Sequence, residues 1–410
     1  MAIDGTCDPR FARVRDEFER NFAERGEVGA SVCVTVDGQT VVDLWGGVAD
    51  PGTGRAWDTD TIGHVWSATK GATALCAHLL AYRGLLDFDA PVTAYWPEFG
   101  KNGKEAVLVR HLLAHQAGLP AVREPLPAGC FYDWRLMTEA LAAEEPFWRP
   151  GTRNGYHALT FGFLVGEVVR RVSGRTLGQF FAEEVAGPLG LEFWLGLPES
   201  AEPRVAPTIP APPPGPGDPM PSLYVAALSD PASIQGLMLV NSGGYMLVPG
   251  ESDSRAAHAA EMGAVGGITN ARGLAGMYRP LALGGAVDGV TLVGPEQLYR
   301  MAAIVSATSV DAVLLVPTRW AMGFTKTTDN RYLPAADQEG ILLSEEAFGH
   351  PGMGGSLGFA DPRARLSFGY TMNRQGTGLG VNERGQSLVD AVYAALAYHR
   401  VDATGPWYHP

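Results

Sequence analysis

Lysine is almost absent from this chain of 410 residues: only four of its 31 basic residues are lysine, and the others are arginine. An arginine guanidinium keeps its proton in a protein, whereas a buried lysine amine can lose its proton as its pKa falls from about 10.4. A lysine in such a chain is therefore a candidate for proton transfer. Lys70 is the lysine that stands three residues after a serine, Ser67.

Cysteine, long apolar runs and positive charge are also scarce. The four cysteines form no C-x-x-C pair, so the sequence predicts neither a metal site nor a disulfide framework, and it indicates no cofactor. No run of 18 apolar residues occurs, and the first residues lack the basic and apolar segments of a secretory signal. We therefore expect no membrane span and a cytoplasmic location. The net charge of −13 offers no basic face to a nucleic acid.

Ser67 lies at the start of an apolar helical pattern. From Ala68 onward, apolar and small side chains recur at helical spacing, and Gly84 then supplies a C-terminal stop. Residues three apart on a helix are neighbours on one face, so the Ser67 hydroxyl and the Lys70 amine can meet. The arrangement is typical of a nucleophile and its activator.

Strand patterns occupy the two ends of the chain, and helical patterns occupy its middle. The turn Asp37-Gly38 between two alternating segments is a strong hairpin signal. The predicted strands are 31–36, 40–46, 319–326, 348–361 and 364–373. The predicted helices are 9–25, 109–115, 134–144, 160–172, 177–186 and 388–398. This order predicts an α/β (α+β) fold in which both ends of the chain share one antiparallel sheet.

The division that follows from this order has two domains. We expect a discontinuous sheet domain, formed by 1–85 and 265–410, and a mostly helical domain, 86–264. The stretch 203–221 in the second domain is rich in Pro and Gly and can be neither a helix nor a central strand, so we expect a long loop there.

Two further segments are candidates for the same site. Tyr156 lies between a Pro-Gly turn and a predicted helix, with glycines at 151 and 155 that allow close backbone approach. The segment 348–359 has five glycines, and so many in a strand usually mark the close approach of a ligand or another backbone. The edge of such a strand can aim a backbone N–H at a developing oxyanion.

Together these pieces resemble the serine hydrolases of the class C β-lactamase and penicillin-binding-protein superfamily, in particular the family VIII carboxylesterases. The resemblance runs from about residue 10 to residue 400. Its motifs are Ser67-Ala68-Thr69-Lys70, Tyr156 after a Pro-Gly turn, His350-Pro351-Gly352, and the marker His111-Leu112-Leu113-Ala114-His115-Gln116-Ala117-Gly118-Leu119. It implies a β-lactamase/transpeptidase-like fold, with a central antiparallel sheet flanked by helices and a mostly helical lobe.

The resemblance also implies a role for each matching residue. Ser67 would be the nucleophile that forms an acyl-enzyme, while Lys70 and Tyr156 would act as general base and acid, with a tyrosinate favoured by a nearby Lys70 cation. The backbone N–H groups of Ser67 and Met353 would form the oxyanion hole. His350, Gly352 and His157 would contact the substrate, a small ester.

Two departures from the class C β-lactamase pattern favour esters over β-lactams. The asparagine that follows the tyrosine by two positions is replaced by Ala158. The lysine and threonine that begin the third motif are replaced by His350 and Pro351, which offer less to a carboxylate. Acyl transfer, amide hydrolysis and weak β-lactamase activity use the same acyl-enzyme and stay open. A non-catalytic, penicillin-binding-like ligand-binding protein would be expected to lack one of the three motif residues.

Three other patterns have competing interpretations. Gly354-Gly355-Ser356-Leu357-Gly358 matches the G-x-S-x-G nucleophile elbow of α/β-hydrolases, but a hairpin rather than a helix is predicted after it. His111 and His115 have the spacing of a zinc helix but lack the glutamate between them, which favours structural histidines. Lys326 begins a Lys-Thr pair that precedes the glycine-rich strand and is expected to be a strand end.

Overall fold

The computed structural model describes residues 3–213, 215, 217–338, 340–400 and 405–409. Within these residues the strands are β1 (Ile3–Cys7), β2 (Gly29–Val36), β3 (Gln39–Asp50), β4 (Arg55–Ala56), β5 (Ile62–His64), β6 (Phe193–Leu195), β7 (Val205–Ala206), β8 (Gly267–Thr269), β9 (Ala286–Val287), β10 (Val290–Thr291), β11 (Ser306–Thr308), β12 (Thr318–Trp320), β13 (Phe348–Pro351), β14 (Leu357–Asp361) and β15 (Leu366–Met372). The helices are α1 (Ala12–Glu24), α2 (Thr69–Tyr82), α3 (Val109–Leu113), α4 (Trp134–Ala143), α5 (Phe161–Ser173), α6 (Leu177–Phe181), α7 (Gly187–Leu189), α8 (Ser222–Ser229), α9 (Ile234–Val240), α10 (Arg255–Ala259), α11 (Ala271–Ala282), α12 (Pro295–Ala302) and α13 (Glu383–Ala395).

The main sheet has the order β1-β3-β2-β15-β14-β13, and every neighbouring pair is antiparallel. Its first half comes from the start of the chain and its second half from the end, which confirms the predicted fold class. The predicted hairpin joins β2 to β3, with Val36 opposite Gln39. Asp37 and Gly38 both have positive φ, 51° and 78°, as a tight turn that matches strand twist requires.

Helices cover both faces of this sheet. α1 and α13 pack against each other and bury an aromatic and aliphatic core on one face, while α11 crosses β14 and β15 on the other. The glycines of these strands allow that crossing. A Cβ at Gly369 would collide with the carbonyl oxygen of Ala271, and one at Gly358 would lie 2.7 Å from the ring of Tyr278. At these two positions the close approach is therefore that of α11.

A second, four-stranded sheet has the order β6-β8-β5-β7 and leads directly to the motif serine. β5 ends at His64, three residues before Ser67, so its pairing with β8 fixes the start of the following helix. β6 and β7 come from within 86–264 and pair with strands from outside it. The domain boundaries expected between residues 85 and 86 and between residues 264 and 265 stay a prediction. Within the Pro-rich stretch, β7 takes an edge position and not a central one, and Pro214 and Pro216 lie outside the described residues.

The helical part of the chain surrounds α2. Every residue of α2 from Thr69 to Leu80 is buried, because α5, α6 and α12 pack around it. A helix that is apolar on all sides is one that lies inside a core. No single helix among the described residues is long and apolar enough to cross a membrane; α8 and α9 pass that test only as a pair, and they are bent by 87° at the break between them.

Candidate active site

Ser67 lies on a single helical turn, Trp66–Ala68, that precedes α2. Trp66 has φ = 48°, a left-handed conformation that a bulky side chain rarely adopts. Its ring stacks on that of His64 at 4.3 Å, and the Thr69 hydroxyl donates to its carbonyl oxygen. These contacts hold the strained turn in place, so that Ser67 sits at the buried start of α2.

The Lys70 amine is fully buried one turn beyond the serine. Its Nζ lies 3.1 Å from Ser67 Oγ, 2.7 Å from the carbonyl oxygen of Ala158 and 3.0 Å from that of Ala264. Burial lowers the Lys70 pKa well below its usual 10.5. In its neutral form the amine donates to the two carbonyl oxygens, which can only accept, and its lone pair faces the Ser67 hydroxyl. A neutral amine placed in this way can act as a general base.

Tyr156 completes the group from the loop before α5. Its hydroxyl interacts with the Ser67 side chain, which acts to lower the phenol pKa, and its ring lies beside the Lys70 amine, 4.7 Å from Nζ to the ring centroid. The ring also stacks on Trp320, with centroids 5.3 Å apart and planes 3° apart. Burial raises the pKa of the Tyr156 hydroxyl above its usual value of 10. Burial therefore acts against the tyrosinate that the resemblance implied, because it favours the neutral forms of both the phenol and the amine.

The glycine-rich segment lies directly against the turn that carries Ser67. A Cβ at Gly352 would collide with the carbonyl oxygen of Val65 and with the Ser356 hydroxyl, so only glycine fits between them. The amides of Ser67 and Met353 have no acceptor among the hydrogen bonds of the described residues. The structure thus leaves free the two N–H groups that were predicted to form the oxyanion hole, on two neighbouring segments.

The two histidines predicted to contact substrate have different surroundings. His350 Nδ1 donates to the carbonyl oxygen of Pro351 at 2.7 Å, which leaves Nε2 as an acceptor without a partner at the cleft wall. Burial lowers its pKa to about 3, so the ring is neutral. His157 is turned inward instead: Nδ1 contacts the Gly155 carbonyl oxygen at 2.7 Å, and Nε2 accepts the Leu119 N–H at 2.9 Å. With both ring nitrogens occupied and no exposed surface, His157 cannot contact a substrate, and that expectation is corrected.

Ser356 is a structural residue of the same segment. Its hydroxyl is fully buried and donates to the Val65 carbonyl oxygen at 2.8 Å, while its own carbonyl oxygen accepts the Gly352 N–H at 2.7 Å. It lies in the turn between β13 and β14, where no helix follows. A nucleophile elbow requires a strand followed by a helix, so the α/β-hydrolase interpretation does not fit.

A cleft with a cavity volume of about 130 Å³ opens beside Tyr156. About half of its lining side chains are apolar; they include Leu223, Leu314, Val316, Pro317, Trp320 and Leu379. Pro221, at the end of the Pro-rich stretch, also contributes to this wall, and the charged lining residues are Arg319, Lys326 and Asp337. The apolar part of the lining suits an uncharged group beside Tyr156.

Two residues that support Tyr156 could not be assigned from the sequence. His115 accepts the Gly155 N–H at its carbonyl oxygen and the His157 N–H at Nδ1. Asp311, which is fully buried, accepts the Tyr156 N–H at 2.9 Å across 155 residues of chain. His115 lies in the His111–Leu119 marker motif, and that motif could have indicated a position near the site. Nothing in the sequence around Asp311 indicates one.

Comparison with known proteins agrees with this geometry. A family model described as Beta-lactamase matches residues 15–392. The esterase/beta-lactamase LipL of Mycobacterium tuberculosis is 36% identical over 380 residues, which are 91% of this chain and 83% of that protein. A crystal structure of a family VIII carboxylesterase is 39% identical with a TM-score of 0.85, covering 96% of this chain and 100% of that one. The structure of EstA from Arthrobacter nitroguajacolicus Rue61a is 32% identical with a TM-score of 0.81, covering 97% of this chain and 99% of that one.

These matches span nearly the whole chain, and they include the segments that carry Ser67, Lys70 and Tyr156. The fold and the family resemblance predicted from the motifs are confirmed. The chain belongs to the Beta-lactamase family and is a serine hydrolase of the family VIII carboxylesterase type.

Proposed function

We propose that this enzyme is a carboxylesterase that hydrolyses small, uncharged acyl esters through an acyl-enzyme on Ser67. The observation that carries the proposal is the placement of the Lys70 amine between two carbonyl oxygens and the Ser67 hydroxyl. Desolvation favours the neutral amine, which donates to the two carbonyl oxygens and keeps a lone pair to take the serine proton.

Acylation follows from this arrangement. As Ser67 Oγ attacks the ester carbonyl carbon, its proton passes to Lys70 Nζ, and the carbonyl oxygen becomes an oxyanion. The amides of Ser67 and Met353 then donate to this oxygen, and each such donor contributes about 3 kcal/mol to transition-state stabilisation. When the tetrahedral intermediate collapses, the C–O bond to the alcohol breaks. Tyr156 gives its proton to the leaving alkoxide and regains one from the Lys70 ammonium.

Deacylation repeats these steps with water in place of the serine. Lys70 and Tyr156 together accept the proton of the attacking water, and Ser67 leaves with a proton returned to its oxygen. An alcohol in place of water would give acyl transfer through the same intermediate. The hydrolysis and transfer activities therefore differ only in which nucleophile reaches the acyl group.

The surroundings favour neutral esters as substrates. About half of the cleft wall is apolar, and the neutral His350 ring presents an acceptor rather than a cation to a substrate carboxylate. The two basic residues of the wall, Arg319 and Lys326, are already bound to Glu345. Ala158 contributes only its carbonyl oxygen, which is already bound to Lys70. Substrates with a free carboxylate, such as penicillins, are therefore expected to be poor.

Intact-mass spectrometry after rapid mixing with p-nitrophenyl butyrate tests the proposal. We expect one butyryl adduct, mapped by peptide digestion to Ser67, and none in Ser67→Ala. Ser356→Ala is the matched control, because it also loses a buried serine hydroxyl near the site, and it should still form the adduct. An adduct on Ser356, or turnover by Ser67→Ala, would reassign the nucleophile. Repeating the reaction with added butanol measures the share of acyl transfer.

A further inference from the structure

The buried carboxylate of Asp311, which belongs to none of the three motifs, is hydrogen-bonded to the backbone of Tyr156. Asp311 lies in the loop between β11 and β12 and has no exposed surface. Its Oδ1 accepts three backbone N–H groups, those of Tyr156 at 2.9 Å, Val313 at 2.9 Å and Leu314 at 3.0 Å. One oxygen atom therefore joins the tyrosine loop to the loop that forms the cleft wall.

The other carboxylate oxygen reaches the aromatic partner of Tyr156. The Thr318 hydroxyl donates to Asp311 Oδ2 at 3.3 Å, and the same hydroxyl accepts the Trp320 indole N–H at 3.1 Å. Trp320 in turn stacks on the Tyr156 ring. The chain of donors runs from Trp320 to Thr318 to Asp311, which is the direction that a negatively charged acceptor at its end requires.

We propose that Asp311 is a positioning residue for the proposed esterase reaction, which holds the Tyr156 phenol against Ser67 through the Tyr156 backbone and through the Trp320 stack. The backbone adds a third link, since the Ala312 N–H donates to the Asn154 carbonyl oxygen at 2.9 Å. Tyr156 is thus fixed on its main chain and on its ring face by the same short loop. This inference rests on the proposed function, because it concerns the proton donor of that reaction.

Charge gives Asp311 a second effect on the phenol. The other titratable groups that face Tyr156 are Lys70, His115 and His350, and burial lowers the pKa of all three, which favours their neutral forms. Burial is the main cause that raises the Tyr156 pKa, and among the described residues Asp311 is the acidic group whose charge adds to it. Burial also raises the pKa of Asp311 itself, while its three backbone N–H donors and the Thr318 hydroxyl favour the carboxylate. The charge thereby adds to the effect of burial, which keeps the phenol protonated and able to donate.

Asp311→Asn separates these effects, since an amide keeps an acceptor for the three N–H groups but removes the charge. We expect the rate of Ser67 acylation by p-nitrophenyl butyrate to fall about tenfold with little change in KM. The loss should appear in kcat and not in KM, because Asp311 acts on the proton donor and is not among the residues that line the cleft. Asp311→Ala also removes the acceptor of the three N–H groups. Its acylation rate should fall about 100-fold or more, since a displacement of a reacting group by about 1 Å has that effect.

The matched control is Asp361→Asn. Asp361 is equally buried and accepts two backbone N–H groups and two hydroxyls, but its partners, Ser344, Arg363, Ala364 and Tyr393, lie outside the site. The Asp361→Asn substitution should lower the melting temperature and leave the acylation rate and the pH profile unchanged.

Asp311→Asn with the wild-type acylation rate would overturn the inference. An equal loss of rate in Asp361→Asn would also overturn it. If Asp311→Ala does not fold, the Asn variant alone decides. If wild-type protein forms no adduct on Ser67, the proposed function fails instead, so the two failures are distinguishable.

Discussion

Replacement of Lys70 by methionine tests the assignment of the general base most directly. Methionine has a similar length and no amine, so the serine proton loses its acceptor while the packing of α2 is kept. General-base catalysis contributes about 10²- to 10⁴-fold, so we expect acylation to slow by that factor, equivalent to about 3–5 kcal/mol in activation free energy. Lys70→Arg should be as slow, because a guanidinium stays protonated and cannot accept.

The same variant makes a prediction about stability against pH. The unfolded chain has a Lys70 pKa near 10.4, whereas burial depresses it in the folded state, so between those two pKa values the unfolded state binds one proton more. The free energy of unfolding of the wild type therefore rises with pH there, by about 1.4 kcal/mol per pH unit from this group. Lys70→Met lacks this contribution. The stability of the wild type relative to the variant should increase as pH rises, up to about pH 10.

Stopped-flow acylation with p-nitrophenyl butyrate and denaturant unfolding at several pH values provide the two measurements. The variant leaves the carbonyl oxygens of Ala158 and Ala264 without their donor, at about 1–3 kcal/mol each, but this term does not depend on pH. The informative quantity is thus the pH dependence of the difference in unfolding free energy between the wild type and Lys70→Met. Acylation by Lys70→Met within tenfold of wild type, or a stability difference that is flat from pH 6 to pH 10, would refute the neutral-amine assignment.

Three further outcomes follow from the site. Tyr156→Phe removes only the hydroxyl and keeps the stack on Trp320, so kcat for an alkyl ester should fall about 10²- to 10⁴-fold while the melting temperature changes little. Gly352→Ala places a methyl group against the Val65 carbonyl oxygen and must move the segment that carries one oxyanion donor; we expect kcat to fall about 10²- to 10³-fold, measured beside KM for the same ester. Benzylpenicillin should be hydrolysed far more slowly than p-nitrophenyl butyrate in a spectrophotometric comparison, and efficient turnover would show that Ala158 and the neutral His350 do not set the preference.

The local part of the site could be predicted from the sequence because one helical turn links its members. The spacing of Ser67 and Lys70 alone places their side chains together, and the structure has them 3.1 Å apart. Tyr156 and Gly352 needed more than spacing: a tyrosine on a loop and a glycine in a strand become site residues only through the family resemblance. The hairpin at Asp37-Gly38 also depends only on residues that are adjacent in sequence, and the structure confirms it.

What could not be predicted depends on contacts between distant segments. Asp311 meets Tyr156 across 155 residues, and no pattern around either residue marks the contact. His157 was wrongly expected to contact substrate because its neighbour in sequence faces Ser67, whereas its own ring turns to the backbone at Gly155 and Leu119. β1 was not predicted, because its interior, Asp4-Gly5-Thr6, is polar and exposed, and it is held only by pairing at the edge of the sheet.

Burial alone does not explain the chemistry of Lys70. Three of the four lysines, Lys70, Lys104 and Lys326, are buried, and burial lowers the pKa of each, for Lys326 to about 8. The amines of Lys104 and Lys326 bind the carbonyl oxygens of Glu144 and Glu345, which have no proton to give. Lys70 differs in that a hydroxyl is its third partner.

The same low-dielectric environment acts in opposite directions on the two groups beside that hydroxyl. Desolvation disfavours whichever form is charged, so it removes a proton from the Lys70 amine and keeps one on the Tyr156 phenol. A cation and a neutral acid in water thus become a base and an acid within one buried cluster, in which the Asp311 charge adds to the effect of burial on the phenol. An arginine at position 70 would stay charged under the same desolvation, which is the physical reason why a chain that otherwise uses arginine has a lysine here.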